Sequence, residues 1–475
     1  MIRICLVAAF PPSKGPLNEY SYHIAREIQR HEGVELIILA DEIEEYKFVT
    51  DAHGKTLSSE EVPGLPGLKV VRCWKVDSLA NPARLLKAIH EWKPDVVWFN
   101  LVFSSFGTPK NPVAAFLGLF APALTRAAGF YTHITLHHII EHVDFKSAST
   151  ASLQREKLLR TGTYVATRVL LKANWVTVLL SDYRKTLERK YAARNIMIGT
   201  HGTFTTISEG PDLSRRGNPE HRILAFGNWG TYKRLEKLME AFPAVLEKIP
   251  NARLIVAGGN HPAAAGYWES IRASLPPHLP VDFLGYIPQK DVPELFRTSS
   301  LLVMPYDSST GSSGPAHQAC EYGLPIVCSD IPDFRCMGMD DDMAILFYKT
   351  GDIEDLSQKI LTVLESPQVQ LEMSEHNYQA GVQMAMANVA RTYLRWFELH
   401  KLKRIVASNG LARRLRPWSA GTRHVGGMPV QDIFGNGYGA REQTGGPRRE
   451  VPEQSPIPLE ATSPTTMNGY PEQVI

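Results

Sequence analysis

Two stretches of this chain place groups that can handle an anion beside glycine. In Gly227-Asn228-Trp229-Gly230-Thr231-Tyr232-Lys233 the lysine follows an apolar run ending at Phe226 and precedes a helix-length segment. A lysine delivered at such a turn can neutralise a diphosphate, and Gly227 lets the backbone come close. A solvated surface lysine is the plainer alternative. The second stretch runs from Leu301 to Asp330. An apolar run ends at Pro305, a small polar loop follows (Thr310, Gly311, Ser312, Ser313, Gly314), and Pro315 suits the first turn of a helix. Gly323 and Pro325 stop that helix, and Ile326, Val327 and Cys328 begin another strand-like run. This is one βαβ unit, whose loop lies at the carboxyl edge of a parallel sheet. There the free amides around Ser312 to Ala316 can hold a phosphate. The alternative is that Thr310 to Gly314 only cap the helix.

Histidines cluster in THITLHHIIEHVDF: His133, His137, His138 and His142. Metal binding at spacings of four needs a helix, but Ile134, Thr135, Leu136, Ile139 and Ile140 favour a strand. Residues four apart in a strand lie about 13 Å from each other, too far to share one ion. No metal site is expected. His137 and His138 then stand at the carboxyl end of a strand, either facing a ligand crevice or hydrogen-bonded within the core. A further loop, FPPSKGPLNEY, lets Gly15 approach a ligand but lacks the G-x-G-x-x-G spacing of a dinucleotide site.

The elements that position these groups follow from alternation. Strand-like runs at Ile2–Phe10, Val34–Ala40, Leu68–Cys73, Val96–Asn100, Tyr131–His137, Trp175–Leu180 and Asn195–Ile198 are mostly separated by helix-length segments. A second series begins at Ile223–Phe226 and closes at Ala344–Phe347. Such alternation predicts parallel, doubly wound sheets, and uniformly apolar runs such as Ile37-Ile38-Leu39 fit strands buried on both faces. With 475 residues, two domains of roughly 200 residues are expected. The reading is α/β: a first Rossmann-like domain over 1–206, a polar linker over 207–221, and a second domain over 222–376. One long closing helix over 377–408 and a disordered tail over 409–475 complete it, the tail being rich in Gly, Pro, Arg, Glu, Gln and Thr. A formal net charge of +2 argues against nucleic acid as partner. Five cysteines, never spaced C-x-x-C, imply buried thiols in a reducing, cytoplasmic setting. Met1 runs almost at once into IRICLVAAF, so no secretory signal is expected. The longest apolar stretch, Pro112 to Phe130, is cut by Pro122 and Arg126 and reads as a buried helix. Peripheral contact at the inner membrane stays open.

The order of elements, with AFGNWGTYKRLEKLMEAF, RLIVAGG, VDFLGYIPQKDVPELFRTSSLLVMPY and EYGLPIVCSDIPDF, resembles the retaining family 4 glycosyltransferases (glycosyl transferases group 1) of the GT-B fold. The match covers roughly Ile2 to Lys403 and is strongest in the second domain. The resemblance implies two Rossmann-like domains facing each other across a cleft. It also implies a nucleotide-diphosphate sugar as donor substrate, no cofactor, and a glycan, lipid or small-molecule acceptor. By the same resemblance His137 lies near the transferred sugar, Gly15 lines the first-domain loop, and Lys233 and Gly227 meet the diphosphate. Gly311, Ser312, Ser313 and Gly314 turn their amides to the distal phosphate, and Gly285 and Tyr286 mark the base pocket.

Departures from the family pattern are specific. Its paired glutamates, eight positions apart, fall on Thr310 and Gln318. Its arginine partner of the lysine falls on Asn228, and the second glycine of the first loop on Pro16. Glu321 stands one turn beyond Gln318. Besides a metal-independent, retaining transferase, two other readings remain: a non-catalytic nucleotide-sugar-binding or scaffold protein, and more remotely a UDP-sugar epimerase.

Because the tail has no apolar periodicity, deleting residues 409–475 is expected to leave the melting temperature nearly unchanged. A calorimetric drop of more than a few degrees would show that the segment packs.

Overall fold

The computed structural model describes residues 1–43, 62, 64–108, 110–142, 153–204, 213, 221–261, 264–288, 290–309 and 311–408. Residues Met1–Glu398 form one compact body, and the chain from Leu399 onward forms a second unit. Thr310, the tail over 409–475 and all of the 207–221 linker except Leu213 and His221 lie outside the described residues.

The first half alternates as its apolar pattern requires. In order come β1 (Ile2–Val7), α1 (Asn18–Gln29), β2 (Val34–Asp41), β3 (Lys69–Trp74), α2 (Asn81–Trp92) and β4 (Val96–Leu101). They continue with α3 (Pro112–Gly118), α4 (Ala121–Ala127), β5 (Thr132–Leu136), α5 (Leu153–Leu170), β6 (Trp175–Val178), α6 (Ser181–Tyr191) and β7 (Ile196–Ile198). The second half gives β8 (Arg222–Phe226), α7 (Leu235–Lys248), β9 (Arg253–Ala257), α8 (Tyr267–Ser274), β10 (Val281–Gly285) and α9 (Val292–Arg297). It ends with β11 (Leu301–Met304), α10 (Gly314–Glu321), β12 (Ile326–Ser329), α11 (Pro332–Asp340), β13 (Ile345–Tyr348), α12 (Ile353–Leu364), α13 (Pro367–Gln383) and α14 (Met386–Ser408).

The strands pair in parallel in the orders 3-2-1-4-5-6-7 and 10-9-8-11-12-13. Each sheet therefore reverses direction once, between β1 and β4 and between β8 and β11. In open α/β sheets the ligand crevice lies at the carboxyl ends of the strands at that reversal. All the loops singled out for chemistry leave strands at those ends. On β1, Ile4, Leu6 and Ala8 enter one buried cluster while Cys5, Val7 and Ala9 enter another, as a strand covered on both faces demands.

Two expectations are corrected. The closing segment is two helices, because the chain breaks at Met384–Ala385, where it pairs with a distant strand of backbone. There the Thr203 amide donates to the Met384 carbonyl (3.0 Å) and the Met386 amide to the Thr203 carbonyl (3.2 Å). After that break the chain returns to the first domain, where Met386, Val389, Tyr393 and Phe397 join the cluster that covers one face of β1 and β4. The stretch from Pro112 to Phe130 is also not one buried helix. Phe120 and Pro122 divide it into α3 and α4, and Val113 and Leu124 are exposed. Among the described residues no helix is long and apolar enough to cross a membrane. Cys5, Cys73, Cys320 and Cys328 are buried free thiols, and Cys336 is half-buried and free.

Phe397 is fully buried against Trp98 (5.5 Å between ring centroids) and His133 (5.3 Å). Phe397→Ala is expected to cost about 3–5 kcal/mol, read from urea unfolding. A loss below about 1 kcal/mol would mean that α14 is not part of the first-domain core.

Candidate functional site

The second-domain half of the site is built on β8 and β11. After Phe226 the chain turns at Gly227 (φ +137°), a conformation suited to glycine, and a Cβ there would stand 2.9 Å from the Lys233 Nζ. Lys233 is buried, and its ammonium lies 4.8 Å from the Tyr306 ring centroid and 5.9 Å from that of Trp229. Among the described residues no carboxylate pairs with it. Burial without a counter-charge lowers its pKa from 10.5 to about 8. Tyr306 follows the end of β11 and is itself buried, and its hydroxyl finds no hydrogen-bond partner among the described residues. That hydroxyl and Pro315 Cγ lie 3.7 and 3.5 Å from the same point beside Gly227. An unpaired ammonium and an unpaired hydroxyl thus share one small space next to the start of α10. Water-poor surroundings make both costly unless an anion takes them up.

α10 starts at Gly314 with no side-chain cap. Ser313 spends its hydroxyl on the Met304 Sδ (3.4 Å) and its amide on the Met337 Sδ (3.4 Å). The first-turn amides are therefore left available to an anion. Gly311 (φ +141°) brings the loop against the first domain, since a Cβ there would lie 2.8 Å from the His137 carbonyl oxygen.

The first-domain half is organised by a buried acid and base. Arg72 donates to the carbonyls of Phe10 (3.3 Å), Pro11 (2.8 Å) and Asp41 (2.9 Å). Asp41 accepts from the Phe10 amide (3.2 Å) and the Ser13 hydroxyl, and that hydroxyl accepts from the Gly15 amide (2.9 Å). Burial pushes the Asp41 carboxyl up, against the pull of its hydrogen bonds to Ser13 and Phe10. The absent side chain of Gly15 serves this packing: a Cβ would meet the Ala9 Cβ at 2.7 Å. Its smallness is thus used by its own loop.

His137 follows β5 and is buried, with Nε2 2.7 Å from Asn100 Oδ1 at the end of β4. Asn100 in turn donates to the Ser21 hydroxyl (3.1 Å), which donates to the Leu17 carbonyl. The imidazole is edge-on to Tyr20 (4.6 Å) and 5.9 Å from His201. Burial, then the neighbouring His201 and His138, hold its pKa well below 6.5, so the ring is neutral. His201 is held at about 4 by burial and by His317. Its ring stands 4.9 Å from that of His317 on α10, so three imidazoles cross from one domain to the other. By contrast His133 faces the core, with Nε2 2.8 Å from Thr177 Oγ1. Among the described residues no group of three or more His, Cys, Asp and Glu could hold a metal ion.

Of the other residues named from the sequence, Gly285 (φ +66°) accepts the Gly258 amide (2.6 Å). The neighbouring Tyr286 is exposed, its hydroxyl pushed up by burial and by Glu19 of α1. Asn228 is exposed and Gln318 half-buried, and neither side chain makes a hydrogen bond with the described residues. Ser312 stands 3.5 Å from His317. Glu321 does not stand in for the displaced carboxylate in an open pocket, because its Oε1 accepts the Phe204 amide. Phe204 is held from the first domain as well: its carbonyl accepts from Arg26 (3.0 Å) and its ring stacks on His23 (4.7 Å, 4°). Elsewhere between the two domains the Ser181 amide donates to Asp340 (2.6 Å) and the buried Tyr183 hydroxyl to Asp333 (3.0 Å). Tyr306, His201, His317 and Asn100 escaped the sequence reading. Only Tyr306 and His317 had a local signal, since both lie within the βαβ stretch.

Residues 220–366 match the family model described as Glycosyl transferases group 1. No curated protein sequence matches the chain. Solved structures similar to it include sucrose-phosphate synthase from Thermosynechococcus elongatus, at 15% identity and TM-score 0.64, covering 85% of this chain and 100% of that one. Anabaena HepE in complex with UDP-glucose aligns at 15% identity and TM-score 0.55, covering 84% and 100%. The N-terminal domain of Candida albicans trehalose-6-phosphate phosphatase aligns at 12% identity and TM-score 0.58, covering 84% and 97%. At these identities the likeness establishes the fold, two Rossmann-like domains in the GT-B arrangement.

An anion at Lys233 would restore the ordinary affinity of this amine for its proton. Between about pH 8 and 10.5, and not below, diphosphate binding is therefore expected to take up a proton and to weaken as pH rises. Without ligand the sign reverses for folding: the unfolded chain holds that proton more tightly, so stability gains as pH rises through the same window. Calorimetry of UDP binding in buffers of different ionisation enthalpy checks the uptake. Lys233→Ala should remove it and weaken binding by roughly 1.5–3 kcal/mol.

Proposed function

We propose that this protein transfers a sugar from a nucleotide-diphosphate sugar to a glycan, lipid or small-molecule acceptor, with retention of configuration and without a metal. The observation that carries this reading is the unpaired ammonium of Lys233, buried beside the unpartnered Tyr306 hydroxyl at the sheet reversal. A donor diphosphate in that space would be neutralised by Lys233 and by the open amides of α10. These groups supply, at the leaving group, the positive charge that a metal provides elsewhere. The second-domain match to Glycosyl transferases group 1 supports the same reading. The HepE structure with UDP-glucose makes UDP and a hexose the first donor to try.

In this reading the transferred sugar lies in the crevice next to the donor diphosphate, on the side where His137 and the start of α10 approach each other. No strong protein base is needed, because the departing phosphate takes the acceptor proton on the face it leaves. His137, neutral and oriented by Asn100, positions the sugar and supports charge developing at its anomeric carbon.

A mass-spectrometric screen of the purified protein against nucleotide sugars, scored for binding and hydrolysis, identifies the donor. Proton NMR of the product is expected to show the donor's anomeric configuration, with activity persisting in EDTA. Inversion, or loss on chelation, would defeat the mechanism. His137→Ala is expected to lower turnover by about 10²-fold or more while nucleotide affinity changes little. Binding without turnover for any acceptor would favour a nucleotide-sugar-binding scaffold, a reading to which Gln318 in place of a carboxylate lends weight.

A further inference from the structure

His317 is fully buried on α10, and both of its ring nitrogens face acceptors. Nδ1 lies 2.8 Å from the Ser313 carbonyl oxygen, and Nε2 lies 3.2 Å from Asp341 Oδ2. A carbonyl cannot donate, and neither can an ionised carboxylate. A neutral ring would therefore turn a nitrogen lone pair toward one of them, in a place where both His317 and Asp341 side chains are about 2% exposed. The Ser312 hydroxyl at 3.5 Å is a longer and weaker neighbour of Nε2. The two shorter contacts, to Ser313 and to Asp341, are met together when the pair holds an extra proton.

The connection matters because of what it spans. Asp341 caps the end of α11, with its amide bonded to the Met337 carbonyl (3.0 Å), and Met337 also receives the Ser313 amide through sulfur. The Ser313 carbonyl is held twice by the same residue, through the His317 amide (3.2 Å) and through Nδ1. The turn that precedes α10 is thereby pinned to the end of α11.

We propose that His317 is a positioning residue: protonated on both nitrogens and braced by Asp341, it clamps the Gly311–Gly314 turn so that the amides opening α10 keep their aim on the donor's distal phosphate. The aim on phosphate rests on the function proposed above, whereas the clamp itself does not. On the other side of the ring stands His201, neutral at about 4, so the ring nearest His317 adds no competing charge.

Histidine labelled with nitrogen-15 tests the proton. The His317 resonances, assigned by their loss in His317→Phe, are expected to show protons on both nitrogens at neutral pH. In Asp341→Asn they should revert to a neutral ring protonated at Nδ1, since the new amide can donate to Nε2. Hydrogen–deuterium exchange tests the clamp. His317→Phe should speed exchange of a peptide spanning 311–320 by about tenfold or more, with the melting temperature within a few degrees of wild type. Asp341→Asn, which keeps the Nδ1 bond, should raise it less. UDP calorimetry tests the aim, with an expected weakening of about tenfold in His317→Phe. A neutral His317 in the wild-type protein, or unchanged exchange in both variants, overturns the proposal. Should wild-type protein bind no UDP while the NMR and exchange results come out as expected, the clamp stands and the donor reading falls. If His317→Phe does not fold, Asp341→Asn carries the NMR and exchange measurements alone.

Discussion

A buried ammonium without a counter-charge is the constraint around which the cleft is arranged. Folding strips water from Lys233 and gives back a tyrosine ring, an indole and a glycine backbone. An aromatic face recovers only about 0.5–2 kcal/mol of such a loss. The remainder is stability withheld from the empty protein and returned when an anion enters. The position of Tyr306 makes the withholding deliberate in structural terms, since its hydroxyl is sealed beside the amine without any bond to it.

The first domain solves the opposite problem. Its loop after β1 carries three bare carbonyl or amide groups inward, and Arg72 with Asp41 satisfies them internally. That loop is rigid by its own bonding and can act as a fixed wall.

Much of the fold was legible because parallel strands buried on both faces read as plain apolar runs. The α12 helix, Ile353–Leu364, is legible because its apolar spacing and its cap, the Asp352 carboxylate accepting the Asp355 amide, are local. Lys233 and Gly227 were legible for the same reason: the glycine, the lysine and the strand lie within twelve residues. The break at Met384–Ala385 was not, because its cause is Thr203, some 180 residues earlier in the chain. The three imidazoles were half-legible. His137 stands in a strand pattern, but nothing near His201 or His317 in sequence says that they meet it. Glu321 shows the limit most clearly: its place one turn beyond Gln318 could not decide whether it replaces the missing carboxylate, and in the structure it accepts the amide of Phe204.

That pairing of Thr203 with Ala385 has a mechanical consequence. Thr203, where the first domain ends, and Ala385, where the chain returns to it, lie side by side, tied by backbone bonds. Two parallel tethers behave as a single axle: they allow rotation about their common line and resist sliding or twisting across it. Groups close to the axle travel least when the jaws swing. His201 is two residues from Thr203 and Phe204 is adjacent to it, so the contacts of His201 with His317 and of Phe204 with Glu321 sit near the axle. The bonds from Ser181 to Asp340 and from Tyr183 to Asp333 belong to no such tether. A rotation about that line would displace the Ser181 and Tyr183 contacts more than the histidine bridge, which keeps its register beside the tie.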